Sequence, residues 1–154
     1  MAMKLLLQIP HAIRKWQWRL LKPVTVGVRV LVEDNGRVLL VKHTYDDLWY
    51  LPGGGVNRGE TLEDAIRREA AEEVGAQLGQ LRLLGVYTSF AEYKSDHVLV
   101  FVCHDCTLAG VTDHEIACFG LFDLEALPEA TSPATRRRIK EYLTGSTVPG
   151  VHMW

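Results

Sequence analysis

The chain has no apolar run approaching the ~20 residues that a membrane-spanning helix needs, so a helical membrane protein is not expected. Its 154 residues include only three cysteines, an odd number that suits a reducing, cytoplasmic interior and not a disulfide framework. One-sided charge is missing too: a net charge of −2 gives no bias towards nucleic acid or acidic lipid, and no nucleic-acid partner is expected. The apolar start Leu5-Leu6-Leu7 is interrupted by Gln8, Pro10, His11 and Arg14 too soon for a signal peptide. There is no internal repeat and no low-complexity linker. What is present, 47% hydrophobic and 23% charged residues, suits a single globular domain with a real core.

Residues 1–22 stand apart, with Lys4, Arg14, Lys15, Arg19 and Lys22 and no acid before Glu33. Ile13, Trp16, Leu20 and Leu21 recur at helical spacing, which predicts a basic amphipathic helical arm. It packs on the domain or a second subunit, or lies on a membrane surface. From Pro23 the period changes. Val24 to Val32 alternates as a strand, Asn35-Gly36 supplies a tight hairpin turn, and Val38 to Lys42 returns. Further strands are expected at Leu83–Tyr87, His97–Cys103 and Phe119–Leu124, and a final helix between Ser132-Pro133 and Gly145. Strands both as a hairpin and around a helix imply a mixed sheet covered by helices.

The segment Leu62–Val74 predicts a helix, opened by a capping box at Thr61/Asp64 and closed by Gly75. With Leu62 at zero and about 100° per residue, Leu62, Ile66 and Ala65 define a core-facing stripe. Glu69 and Glu73 fall within about 20° of its centre, with Glu72 beside it. Buried carboxylates cost several kcal/mol each unless compensated, so a cation must face them. Arg and Lys partners would serve, but a hard divalent metal suits a carboxylate cluster. The loop ahead, Pro52-Gly53-Gly54-Gly55-Val56-Asn57-Arg58-Gly59-Glu60, is rich in glycine and can bring backbone groups against a phosphate, with Arg58 as a charged donor.

Gly54, Glu60, Arg68-Glu69-Ala70, Glu72-Glu73, Gly75 and Ala76 together resemble the Nudix box, G-x5-E-x7-R-E-U-x-E-E-x-G-U, where U is a bulky aliphatic residue. Every polar and glycine position is present, while Ala70 and Ala76 are smaller than the pattern's aliphatics. Leu48-Trp49-Tyr50-Leu51-Pro52 and the stretch Glu115-Ile116 to Pro128 extend the resemblance. It implies the α/β (α+β) class, as an α/β/α sandwich with a central mixed β-sheet over residues 23–145, with 146–154 a tail.

By this resemblance Glu69, Glu72, Glu73 and the Gly53 carbonyl would bind Mg²⁺ or Mn²⁺, and Arg68 and Glu60 would pair to hold the helix to its loop. The reaction would be attack of water on a phosphorus of a diphosphate linkage, in a nucleoside diphosphate joined to another group or in a nucleoside triphosphate. Glu69, Glu115 and Glu92 are candidates for the general base. Arg58, Gly54, Gly55, Trp49 and Tyr50 would contact the small-molecule nucleotide substrate. A different class, a nucleotide sensor of the same fold without turnover, is disfavoured by the retained carboxylates. A prenyl diphosphate isomerase is disfavoured by the complete box. A homodimer is compatible with the apolar arm.

The remaining signals read as ordinary packing. Cys103 and Cys106 have C-x-x-C spacing with no second pair to complete a zinc site. Cys118 is expected in the core, and Arg136-Arg137-Arg138 on a solvated helix face. Tyr87, Phe90 and Tyr93 are further aromatic candidates for stacking on a base.

Overall fold

The two strands β1 (Val24–Asp34) and β2 (Arg37–His43) form the hairpin that Asn35-Gly36 predicts. Both turn residues take positive φ, 51° and 79°, as the tight turn requires. This computed structural model describes residues 23–110, 114–145 and 150–154, without the Glu92 side chain. The amphipathic arm over 1–22 and the Glu92 side chain therefore lie outside the described residues.

The hairpin strands separate at once, pairing only at Glu33↔Val38 and Asp34↔Arg37. The glycine loop fills the gap. Val28 N–H donates to Gly54 O at 2.9 Å, Val30 N–H to Pro52 O at 2.9 Å, and Val56 N–H to Val26 O at 3.0 Å. On its other side β1 runs parallel to β6 (Ser95–Cys103), from Val24↔Ser95 to Val32↔Cys103. β5 (Arg82–Ser89) continues the sheet antiparallel to β6, and β9 (Val151–Met153) adds parallel to β5. β2 carries β8 (Ile116–Asp123) and the short β3 (Trp49–Tyr50), both antiparallel. β4 (Ala76–Leu78) and β7 (Cys106–Leu108) form a separate ribbon.

Alternation along β1 divides the core between two faces. Val28, Val30 and Val32 pack with Ala65, Ile66, Ala70 and Val74 of helix α1 (Leu62–Val74). Leu31, with Val38 and Leu40 of β2, packs on the other face against Leu84, Tyr87, Val98 and Ile139 of helix α2 (Pro133–Thr144). Each fully buried aliphatic side chain contributes about 1.5–3 kcal/mol. Helices on both faces of a mixed sheet make the α/β/α sandwich expected from the sequence.

Three expectations are corrected. Leu62 is 37% exposed, because the buried stripe of α1 runs through Ala65, Ile66, Ala70, Glu73 and Val74 and is rotated towards the helix's later turns. Cys118 is exposed on β8, where it pairs with Lys42 on an outward-facing register. Arg138 is 2% exposed, with its guanidinium 3.8 Å above the Tyr87 ring centre and Nη2 donating to Glu141 Oε1 at 2.6 Å. Burial lowers the Arg138 pKa, and Glu141 opposes that effect. Four short strands, β3, β4, β7 and β9, carry too few residues for periodicity to reveal.

Candidate active site

Helix α1 begins where the sequence predicts. The Thr61 hydroxyl accepts Asp64 N–H at 3.1 Å and donates to the Asp64 carboxylate at 2.6 Å. It ends at Gly75, whose left-handed φ of 61° lets its N–H reach Ala71 O at 2.9 Å. Glu63 and Asp64 suit the positive end of the helix dipole. Glu72 and Glu73 occupy the opposite, negative end, with no basic residue in the last turn to offset them. That placement disfavours the fold locally, and the surroundings compensate for it.

Glu73 is the deeply buried carboxylate, 5% exposed, and its Oε2 accepts the Gly53 N–H at 2.9 Å. The Gly53 carbonyl, on the same residue, accepts from Arg29 Nη1. Gly54 lies directly against Glu69: a Cβ at Gly54 would stand 2.5 Å from the Glu69 carboxylate carbon. As Glu69 stands, only glycine fits there, although the group a Cβ would meet is the far end of a flexible side chain. At Gly53 glycine is required twice, by a φ of 135° and by the Val28 carbonyl, which lies 2.2 Å from where a Cβ would stand.

Arg68 organises the other carboxylates. It binds Glu60 through two parallel bonds, Nε to Oε1 at 2.7 Å and Nη2 to Oε2 at 3.0 Å, and it donates to Gly55 O at 3.0 Å. Its Nη1 reaches Glu69 at 2.8 Å and Glu72 at 3.2 Å. Hydrogen bonding to Arg68 is the main cause holding Glu60 below the usual carboxylate range, and the same pairing raises the Arg68 pKa.

The donor chemistry fits a hard divalent cation: three helix carboxylates on adjacent turns beside a glycine backbone bare enough to meet them. Among the described residues no three acidic, histidine or cysteine side chains converge into a ligating array as they stand. Arg68 draws Glu69 and Glu72 towards itself, so both would turn from it to share an ion with Glu73. Only Glu73 lies in the buried stripe; Glu72 is on its exposed flank and Glu69 is intermediate.

Glu115 approaches from across the sheet, where its carbonyl accepts Thr44 N–H at 2.8 Å. Its exposed carboxylate, together with Glu73 and Arg29, acts on the Tyr45 hydroxyl, whose pKa is raised first by burial and then by Glu115. Tyr45 stacks on His43, ring centres 5.0 Å apart. No motif marked it. Arg58 is exposed on the loop between Gly53 and α1.

Beside the glycine loop, on the α2 face of the sheet, opens a cleft of about 390 Å³. Arg29, Tyr50, Leu51, Asp96, Val98 and Trp154 contribute to its walls. Tyr50 donates to Asp46 at 2.6 Å, and burial followed by this bond raises its pKa. Trp49, paired with Tyr50 in the sequence reading, is turned away from the cleft, edge-on to Phe122 at 4.7 Å in the core. Cys103 and Cys106 are free thiols, with Cys103 Sγ directed to Asp105 O at 3.2 Å. Among the described residues no helix is long and apolar enough to cross a membrane.

A glycine loop set beside β1 and clamped to a carboxylate helix is the centre of this α/β/α sandwich. The NUDIX domain model matches residues 21–143, and the chain belongs to the Nudix family. The MutT Nudix hydrolase of Burkholderia pseudomallei shares 30% identity with it, with a TM-score of 0.70 over 76% of this chain and 96% of that one. The MutT protein of Methanosarcina mazei, at 24% identity and a TM-score of 0.66, shares the fold over 82% and 97% of the two chains. An RNA pyrophosphohydrolase of Pseudomonas putida is 37% identical over 75 residues, 49% of this chain and 46% of that protein. The chain thus matches about half the length of such curated relatives.

Proposed function

We propose that this protein hydrolyses a diphosphate linkage, in a nucleoside diphosphate joined to a second group or in a nucleoside triphosphate, by attack of water on phosphorus. The observation that carries the reading is the buried Glu73 on the Gly53 amide, with Glu69 pressed against Gly54. Two carboxylates lying against the Gly53–Gly54 backbone support that reading. Glu69, Glu72, Glu73 and the Gly53 carbonyl would hold Mg²⁺ or Mn²⁺. The ion supplies charge neutralisation on the phosphates and a lowered pKa for water.

The protein's own groups then have separate tasks. Arg68 and Glu60 fix α1 to the loop, so that the helix keeps its position when the substrate's negative charge arrives. Glu69 takes the proton of the attacking water, with Glu115 as the second candidate at the Tyr45 edge of the site. Arg58 and the Gly54–Gly55 backbone meet phosphate oxygens, and Tyr50 borders the space for the attached group. The three free thiols are in keeping with a cytoplasmic enzyme. Dimerisation is part of the same proposal and is read from the mass of the full chain in solution.

The test is phosphate and nucleotide release from a panel of nucleoside diphosphate derivatives, nucleoside triphosphates and an RNA with a 5′-triphosphate. It is run with Mg²⁺, with Mn²⁺ and with chelator, beside Glu73→Gln. Metal-dependent turnover of one member, lost in the variant, is expected. Tight nucleotide binding with no turnover of any member would replace the reading with that of a sensor.

A further inference from the structure

The matched domain ends at residue 143, yet the chain beyond it returns to the sheet. β9 pairs in parallel with β5 through Val86↔Val151, Tyr87↔His152 and Thr88↔Met153. Two backbone bonds fix its ends: Val86 N–H to Gly150 O at 2.9 Å, and Trp154 N–H to Thr88 O at 2.8 Å. The side chains of β9 itself are exposed, so this strand adds little core. What it delivers is Trp154.

Trp154 is half-buried on the α2 face. It meets Tyr87 edge-on, ring centres 5.9 Å apart, and lies 5.5 Å from the Arg138 guanidinium. Arg138 is in turn held by Glu141, and Tyr87 donates to the same Glu141 at 2.9 Å. These contacts set the indole in one orientation, with a further part of its surface open to the cleft. The cleft is also lined by Tyr50, Leu51 and Val98 and by the charged Asp96 and Arg137, with Arg29 running from it to the Gly53 carbonyl. An aromatic wall backed by Tyr87 and Arg138, in a cleft whose Arg29 reaches the glycine loop, suits a planar group attached to a diphosphate. A pocket of this kind uses a few placed polar groups to orient the ligand and aromatic surface to bury it.

We propose that Trp154, supplied by the strand outside the matched domain, is a specificity-determining residue that stacks on the nucleobase of the substrate. This rests on the hydrolase reading above only in taking the diphosphate to lie at Gly53 and Glu73. Stacking tolerates any base, so Trp154 selects for a base over none, and the polar groups at the rim choose among bases.

The experiment is calorimetric binding to the full chain in Mg²⁺, using methylene-bridged analogues of ADP, GDP and UDP, and methylenediphosphonate as the base-free probe. Trp154→Ala is expected to weaken the best-bound nucleoside analogue about ten-fold, with methylenediphosphonate held within about two-fold. Trp154→Phe should recover most of the loss. Trp154→Leu, which keeps apolar bulk without an aromatic face, should not, and melting curves of all three report whether the strand remains docked. Equal nucleoside affinity in Trp154→Ala or full recovery by Trp154→Leu overturns the stacking role, as does equal weakening of methylenediphosphonate. Wild-type protein that binds methylenediphosphonate but no nucleoside analogue overturns this inference alone. Binding of neither overturns the diphosphate site as well.

Discussion

The amide of Gly53 donates to the carboxylate of Glu73 at 2.9 Å, joining the last turn of α1 to a loop that is itself hydrogen-bonded to β1. Glutamine at position 73 keeps an oxygen that can accept this bond while removing the charge. Glu73→Gln should therefore fold, with a melting temperature close to that of the wild type, yet lose on the order of 100-fold or more in turnover. Glu73→Ala should in addition lose about 1–3 kcal/mol of stability, because it leaves the Gly53 N–H without this acceptor. Paired thermal melts and initial rates decide; full activity in Glu73→Gln would remove Glu73 from the metal site.

Neighbouring glycines should fail in different ways. At Gly54 an added methyl meets the far end of the flexible Glu69 side chain, which can swing aside. Gly54→Ala is expected to cost little stability and much of the activity. At Gly53 the methyl meets the Val28 backbone at a φ that L residues rarely adopt, so Gly53→Ala should fold poorly or not at all. Soluble yield and urea midpoints separate the two.

The Arg68–Glu60 pair makes a pH prediction. Arg68 lowers the folded-state pKa of Glu60 from its ordinary value of 4.5. The pair's contribution is thus full above the unfolded value and disappears as pH falls through the lower, folded one. Wild type and Glu60→Gln should differ most near neutrality and converge in acid, as followed by urea midpoints between about pH 7 and pH 3. A gap independent of pH would mean that Glu60 acts through packing alone.

Arg138 and Glu141 should respond unequally to mutation. Glu141→Ala strands a guanidinium that is 2% exposed and also removes the acceptor for Tyr87. A loss of about 2–3 kcal/mol is expected, below the full figure for a buried pair because Glu141 is partly solvated. Arg138→Met removes the buried charge and refills its volume, so its cost should be smaller. Denaturant titration of both variants gives the order.

Thiol chemistry should follow exposure. Cys118 faces solvent, whereas burial raises the Cys103 thiol and pushes Cys106 up to about 11. Alkylation of the folded protein at about pH 8 should therefore label Cys118 first, as read by peptide mass spectrometry. Prior labelling at Cys106 would contradict the raised Cys106 thiol.

What the sequence made legible was local. The caps at Thr61 and Gly75, the Asn35-Gly36 turn and the spacing of Glu60, Arg68, Glu69, Glu72 and Glu73 each act within a few turns of chain. What escaped it depended on distant partners. An arginine run reads as a solvated face until Tyr87 and Glu141 are seen beside Arg138. The stripe on α1 could be drawn from its apolar residues, but its centre is set by Ala70 and Val74 against the sheet. Tyr45 has no motif, and the charge that acts on it most, that of Glu115, comes from 70 positions along the chain.

Because the glycine loop occupies the position of a strand beside β1, the amides it engages, Val28 and Val30 of β1 and Val56 of the loop, should exchange with solvent as slowly as those of the sheet. On its other side β1 waits for β6, a partner 71 positions away at Val24↔Ser95, before it is paired. The loop is thus set beside a non-local pairing of the sheet, the kind that slows folding. Once seated, it cannot open independently without breaking the middle of the sheet. Adaptation to new substrates must then come from the periphery, where Arg58 is exposed and Trp154 arrives last, while the phosphate-facing backbone is as permanent as the fold.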